Sequence, residues 1–168
     1  MITIAGSAER PFTAEEIAGF HGLVHEPEQR EWDPGGEALD LPAMTSFFRE
    51  VLPKRPGQAV FLAKAGEEVV GMSAVFTEPD RKRGKLGFGV RTAWQGRGIG
   101  TALIAAALRH AEAAGIPRLV AEVFPHNLRA IGLLSDAGFS IVTPRRPAHR
   151  PQALARFEKR LRSPRGKG

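Results

Sequence analysis

The sequence predicts a single α/β domain in which about seven strands and about four helices share one hydrophobic core. Short runs rich in β-branched residues alternate with longer runs whose apolar residues recur at helical spacing. A glycine-rich segment, QGRGIG at residues 95–100, lies between a strand-like run and an Ala/Leu-rich run. The 168 residues are enough for one full core, and no internal repeat is visible. We therefore expect one domain over residues 1–162 and a disordered basic tail over residues 163–168.

The first half of the chain is predicted to hold one strand, two helices and a β-hairpin. Thr13 and Glu16 have the spacing of a capping box, in which each side chain bonds the backbone amide of the other residue. The first helix is therefore expected to begin at this pair. Pro53 cannot continue a helix and is expected to end the second one. The predicted bounds are strands at 2–4, 59–65 and 69–77 and the second helix at 41–52.

The second half is predicted to be organised around residues 90–101. A strand leads into the glycine-rich segment, and a long helix follows it and ends at Gly115. Gly138 is expected to cap a second helix in the same way. The predicted bounds are strands at 85–91, 119–124, 140–143 and 154–161 and helices at 101–114 and 128–137.

The glycine-rich turn has the features of an anion-binding site. Gly96, Gly98 and Gly100 allow a tight backbone whose amide groups turn inward, and the helix that follows adds partial positive charge at the same place. Arg97 can add a charge-assisted hydrogen bond. A nucleoside-triphosphate loop would need Lys-Ser or Lys-Thr after its last glycine, and a dinucleotide fold would need G-x-G-x-x-G. This sequence has neither pattern.

Residues 95–100 instead resemble the Q/R-x-x-G-x-G/A signature of the GCN5-related N-acetyltransferases (GNAT). A second block supports the resemblance, with Glu122, Asn127 and the pair Gly138-Phe139 in the order and spacing of that family. The resemblance is specific from about residue 86 to residue 142. It implies a central mixed, mostly antiparallel, twisted sheet flanked by helices. A glycine-rich connector in an unrelated α/β domain is the alternative that the first motif alone would allow.

The resemblance also implies a cosubstrate and the residues that hold it. Acetyl-coenzyme A (acetyl-CoA) would lie against the strand and the turn, with its pyrophosphate in the glycine-rich loop. Asn127 would bond the pantetheine arm, although it can also serve simply as the N-cap of its helix. The residues implied in cofactor binding are Val90, Gln95, Gly96, Arg97, Gly98, Ile99, Gly100, Thr101, Asn127 and Arg129.

The catalytic residues are less directly indicated. Many relatives carry a Tyr, as the acid for the leaving thiolate, at the position of Leu134, so Ser135 or a water molecule would have to replace it. In some relatives a Glu that acts as the general base stands at the position of Lys85. Glu122 matches the Glu of the ribosomal-protein N-terminal acetyltransferases and is our first candidate for the base, through water. Pairing of Glu122 with an Arg is the competing structural interpretation.

The composition limits which other kinds of protein this chain could be. The chain has no cysteine and no cluster with metal-ligand spacing, so we expect neither a disulfide framework nor a metal site. A net charge of +6 suits an anionic cosubstrate. Without tyrosines, and with phenylalanines in apolar patterns, nucleic-acid binding is disfavoured. No signal peptide or membrane span is visible, which favours a soluble cytoplasmic protein. The family resemblance also allows a homodimer.

The sequence thus predicts an acetyl-CoA-dependent N-acetyltransferase that acts on a primary amine. Residues 26–40 carry six carboxylates against Arg30 alone, which suggests recruitment of a small cationic amine or a peptide or protein amino group. A solvent-exposed acidic loop without a binding role would have the same composition. Leu134 and Lys85 leave open a non-catalytic acyl-CoA sensor, and the net charge leaves open an RNA- or ribosome-associated protein.

Overall fold

A computed structural model of the chain describes residues 1–28, 39–80, 82–142 and 154–162. Within these residues, seven strands form one sheet in the order β1-β2-β3-β4-β5-β7-β6. Neighbouring strands are antiparallel except β4 and β5, which are parallel, so the predicted mixed, mostly antiparallel sheet is confirmed. The strands are β1 (Ile2–Gly6), β2 (Ala59–Ala65), β3 (Glu68–Thr77), β4 (Gly84–Val90), β5 (Arg118–Val123), β6 (Ser140–Val142) and β7 (Ala155–Arg160).

Four α-helices of the described residues cover the two faces of this sheet. Helices α1 and α2 enclose one apolar cluster, with Ile17, Leu23 and Phe48 among its members. Helices α3 and α4 pack on the opposite face with Leu103 and Leu134. The helices are α1 (Ala14–Val24), α2 (Leu41–Ser46), α3 (Ile99–Ala113) and α4 (Leu128–Asp136).

The predicted capping box is present at the start of α1. Thr13 Oγ1 accepts a hydrogen bond from the Glu16 amide at 3.1 Å, and Glu16 Oε2 accepts one from the Thr13 amide at 3.0 Å. These bonds satisfy two amides that the helix itself leaves unpaired. The box therefore fixes where α1 begins.

The second helix differs from the single helix predicted over 41–52. After α2 the chain widens into a π-helical turn, Phe47–Val51, and then tightens into a 3₁₀ turn, Leu52–Lys54. Pro53 lies inside this 3₁₀ turn and does not end the helix ahead of it. Because Pro53 offers no amide hydrogen and its ring crowds the preceding turn, the regular hydrogen-bond ladder cannot run through it.

The helix after the glycine-rich segment begins at Ile99, two residues before the predicted start. Gly98 is its N-cap and adopts a left-handed backbone with φ of 81°, so Gly100 and Thr101 belong to the first turn. At the other end Gly115 has φ of 75°, as expected for a glycine that ends a helix. The remaining elements agree with the predicted bounds to within a few residues. The tail predicted at 163–168 lies outside the described residues.

The central feature of the sheet is a split between β4 and β5. The two parallel strands pair only at Gly84 with Leu119 and at Lys85 with Val120. Beyond that point β4 continues beside β3, and β5 continues beside β7. The strands consequently diverge toward the glycine-rich loop, and the gap between them opens a cleft.

Candidate functional site

A cavity of about 810 Å³ occupies this split and continues under α1 and α2. Its size lies within the range typical of small-molecule sites. One end is lined by the loop between β4 and α3 and by the start of α4. The other end is lined by side chains from β2, β3 and the first two helices. The cavity therefore joins a polar end to an apolar end across the sheet.

The glycine-rich loop forms the polar end. Gly96 and Gly98 have φ of 76° and 81°, in the left-handed region that side-chain-bearing residues rarely adopt. Gly98 has no side chain to cap α3, and its carbonyl accepts the first helical bond from the Ala102 amide at 3.1 Å. Amides of the first turn of α3 are thus not bonded by a capping side chain. A ligand anion fits such an end.

Arginine side chains flank this loop in two different ways. Arg129 Nη1 lies 3.9 Å from the point that a β-carbon on Gly96 would occupy, so its guanidinium reaches across from α4 to the loop. The Arg97 guanidinium stacks 4.8 Å from the centroid of the Trp94 ring and does not line the cavity. Arg129 is therefore the cation placed at the polar end, which the sequence had suggested only through the family resemblance.

Two amide side chains shape the same end. Gln95 Nε2 donates to the Val90 carbonyl at 3.1 Å, which ties the loop back to the last residue of β4. Asn127 Oδ1 accepts from the Ala130 amide at 3.2 Å and so caps α4. Asn127 also lines the cavity, and no described residue bonds its amide nitrogen. Capping and ligand contact are compatible for this residue, because each uses a different atom.

Glu122 lies on β5 at the split. Its neighbours Ala121 and Val123 face the core under α3 and α4, so alternation puts Glu122 on the opposite face, where it lines the cavity. Arg156 lies across from it in the register, but the Arg156 guanidinium bonds Glu158 Oε1 at 3.1 Å. No described residue forms an ion pair with Glu122. The competing structural interpretation, pairing with an Arg, does not apply to Arg156.

The structure separates the predicted residues into two groups. Ser135, proposed as an acid, is exposed on α4 and lies outside the cavity, as does Arg97. Leu134 is fully buried in the core. The predicted residues that line the cavity are Val90, Gln95, Gly96, Gly98, Ile99, Gly100, Thr101, Glu122, Asn127 and Arg129.

Sequence reasoning missed the apolar end of the cavity. Met72, Ala74 and Phe76 alternate along β3 and share one face, and α1 and the π-helical turn after α2 supply further aromatic side chains. The sequence predicted this strand from an apolar run over residues 69–77. Such a run could not show that one face borders a cavity as well as the core.

The acidic segment is described only at its ends. Residues 29–38 lie outside the described residues. Glu26 forms an ion pair with Arg91, and Asp40 Oδ1 accepts from the Ala43 amide at 2.8 Å as the N-cap of α2. These two carboxylates are thus engaged within the chain. Among the described residues, no three His, Asp or Glu side chains come together to hold a metal ion.

Known proteins resemble this chain in sequence and in fold. The sequence profile of the acetyltransferase (GNAT) family matches residues 23–139. A mycothiol acetyltransferase of Streptomyces bingchenggensis is 32% identical over 136 residues, which are 80% of this chain and 40% of that protein. The chain thus spans less than half the length of this relative.

None of the described helices is long and apolar enough to cross a membrane.

Solved structures share the fold at low sequence identity. An acetyltransferase of the GNAT family from Streptococcus pneumoniae superposes with a TM-score of 0.80 at 19% identity, covering 96% of this chain and 99% of that one. A phosphinothricin acetyltransferase from Sinorhizobium meliloti, solved in complex with acetyl-CoA, gives 0.72 at 16% identity, covering 95% and 88%. At these identities the similarity establishes the fold.

Proposed function

The chain belongs to the acetyltransferase (GNAT) family, and from this premise we propose that it transfers the acetyl group of acetyl-CoA to a primary amine. The acceptor would be a small cationic amine or an amino group of a peptide or protein, and it would attack directly in a ternary complex. One observation carries the proposal. A single cavity joins an anion-binding loop to Glu122, whose carboxylate forms no ion pair with any described residue, across the split between β4 and β5.

The polar end of the cavity fits a pyrophosphate. The loop amides, the partial positive charge of the α3 N-terminus and the Arg129 guanidinium converge on one place, and all three favour an anion. Gln95 and Val90 position the loop, and Asn127 offers its amide nitrogen to the pantetheine arm. Arg97 would have to leave Trp94 to reach a phosphate, so we give it an auxiliary role.

The chemistry requires proximity and a base. In acetyl transfer the amine nitrogen bonds the carbonyl carbon, the carbon–sulfur bond breaks and the coenzyme A thiolate leaves. The ammonium form of the amine must lose one proton before it attacks and a second from its nitrogen before the tetrahedral intermediate collapses. We assign to Glu122, which lines the cavity, the transfer of these protons to solvent, directly or through water. Since Ser135 lies outside the cavity, we assign protonation of the thiolate to water.

One observation favours a second candidate function. At the position where many relatives carry the acidic Tyr, this chain places Leu134, which is buried and has no proton to give. A protein that binds acyl-CoA without turning it over would tolerate this loss. Binding and turnover must therefore be measured separately.

The binding test compares two glycine variants by thermal unfolding with and without acetyl-CoA. Gly98 and Gly115 both have positive φ and open space around the missing β-carbon, so a Trp imposes similar backbone strain at each. Acetyl-CoA should raise the melting temperature of the wild type and of Gly115→Trp in proportion to its concentration, but not that of Gly98→Trp. A folded wild type that shows no shift at saturating acetyl-CoA would refute the proposal.

The turnover test measures thiol release with an amine panel. Glu122→Gln should lower kcat by about 10²–10⁴-fold while the acetyl-CoA melting shift is kept, because only proton transfer is lost. Glu112→Gln, on α3 outside the cavity, is the matched control. Unchanged turnover in Glu122→Gln would remove Glu122 as the base. Binding without turnover on any amine would favour the non-catalytic function.

A further inference from the structure

The apolar end of the cavity is a trough on the α1/α2 face of the sheet. Val60 pairs with Ala74, and Ala74 pairs with Gly87, so these residues form one row across β2, β3 and β4. The parallel register pairs Lys85 with Val120. Two residues further along both strands, the same row continues across the split from Gly87 to Glu122. The row is therefore a floor of small side chains that ends at the candidate base.

The floor of this trough is open at its centre. A β-carbon added to Gly87 would meet no atom within 4 Å, so this space belongs to the cavity. The adjacent rows form its sides, with Met72 beside Gly89 and Phe76 beside Lys85. A ligand group can thus lie flat over Ala74 and Gly87 while its end points toward Glu122.

Aromatic rings from the helices form the other wall. The Phe20 and Phe48 rings lie 5.4 Å apart and edge-on, the Phe47 and Phe48 rings 5.5 Å apart, and the Phe47 and Phe76 rings 6.2 Å apart. Phe76 keeps 38% of its surface exposed although it lines the cavity. A ligand ring in the trough would cover this surface and extend the aromatic cluster, an arrangement that favours aromatic groups.

Building on the proposed function, we propose that the acceptor is a primary amine that carries an aromatic or branched aliphatic group. The apolar group fills the trough, and the amine lies at its inner end beside Glu122. A carboxylate at the end of the floor serves an amine that must lose a proton, and it would be a poor neighbour for the tail of a longer acyl group.

Charges near the trough argue against an acceptor with a second positive charge. Lys85 lines the cavity in the row of Phe76, where it would repel a distal ammonium group. Among the described carboxylates of the acidic segment, Glu26 is engaged with Arg91 and Asp40 with the Ala43 amide, and Glu28 is exposed and lies outside the cavity. A diamine of similar length should thus be a poorer substrate than an arylalkylamine.

The test measures kcat/KM at saturating acetyl-CoA for 2-phenylethylamine, ethylamine and 1,5-diaminopentane. We expect 2-phenylethylamine to exceed both others by at least about tenfold, the discrimination typical of an apolar subsite. Phe76→Ala should raise the KM for 2-phenylethylamine by about tenfold and so reduce the preference for 2-phenylethylamine over ethylamine by about the same factor. Ile141→Ala, exposed on β6 away from the cavity, should change neither. Gly87→Val should abolish the preference by filling the floor.

The acetyl-CoA melting shift separates failure of this inference from failure of the proposed function. If the shift is present and the diamine or ethylamine is preferred, or no amine is acetylated, the inference is wrong while donor binding stands. The same holds if hexanoyl-CoA outperforms acetyl-CoA with ethylamine and Phe76→Ala removes that advantage, because the trough would then hold the acyl chain. If no shift appears, the proposed function fails and the inference fails with it.

Discussion

Glu16 shows how much one buried carboxylate can organise in this chain. Only 2% of the residue is exposed, yet its oxygens bond Arg10 at 2.7 and 2.9 Å, Lys64 at 3.0 Å and the Thr13 amide at 3.0 Å. The Arg10 guanidinium, helped by the Thr13 amide and Lys64, lowers the pKa of Glu16 to about 2 against the opposing effect of burial. The carboxylate therefore links the chain before α1, the helix itself and β2.

Glu16 should make the stability of the fold depend on acid. A carboxylate whose pKa is lower in the folded state than in the unfolded state stabilises the fold above its unfolded pKa. That contribution is lost as the pH falls from about 4.5 toward about 2. A shift of this size corresponds to at most about 3 kcal/mol, so Glu16→Gln should lower the free energy of unfolding at pH 7 by roughly 1–3 kcal/mol.

Chemical unfolding of wild type and Glu16→Gln at pH 7 and pH 3 measures this effect. Glu15→Gln is the control, since Glu15 is exposed in the same helical turn. The difference between wild type and Glu16→Gln should shrink at pH 3. An equal difference at both pH values would show that the carboxylate charge is not what stabilises the fold.

The same residue marks the limit of sequence reasoning. The spacing of Thr13 and Glu16 predicted the capping box because both partners lie within one helical turn. Nothing local indicated Lys64, which is 48 positions away and meets Glu16 only because β2 lies beside α1. Glu122 was predicted through a family resemblance. Arg156 does not pair with Glu122 because it bonds Glu158 instead. The sequence could not show which of these two carboxylates Arg156 would choose.

At the scale of elements, the structure differs from the sequence prediction in where two helices begin and end. The glycine pattern predicted the turn, but it placed the start of α3 two residues too late, because a left-handed Gly98 cap leaves no side-chain signature. The π-helical turn after α2 was also missed, since Pro53 suggested an end where the chain instead changes its pitch. Both errors concern boundaries, and the elements themselves were predicted correctly.

Arg129 should contribute to donor affinity through the pyrophosphate alone. Arg129→Ala should raise the dissociation constant of acetyl-CoA by about tenfold or more, the loss expected when a charge-assisted contact is removed. Acetyl-pantetheine has no pyrophosphate, so its affinity should not change. Isothermal titration of both ligands measures this, with Arg109→Ala, exposed on α3, as the control. Equal weakening of both ligands would place Arg129 at the pantetheine arm.

At the scale of the whole molecule, the split sheet determines what the protein can bind. The family resemblance predicted the sheet and its helices. It did not predict the apolar trough, because a strand face that borders a cavity has the same alternation as one that borders the core. The cavity arises from strands, helices and the glycine-rich loop, which meet only in the folded chain, and the sequence of each one alone is consistent with ordinary packing.

The split also predicts where a donor should protect the backbone. The Arg91 amide bonds the Val70 carbonyl, and antiparallel pairs alternate, so the peptide groups of Leu86 and Phe88 face β5 across the gap. Acetyl-CoA lying in the split should slow hydrogen exchange in peptides that cover residues 86–90, as well as in the loop. Peptides from β1 and the β1-facing edge of β2, which pair with each other over Ile2–Gly6, should exchange at the same rate with and without the ligand. Protection limited to the loop would mean that the donor binds by its phosphates and does not enter the sheet, which would leave its thioester out of reach of Glu122.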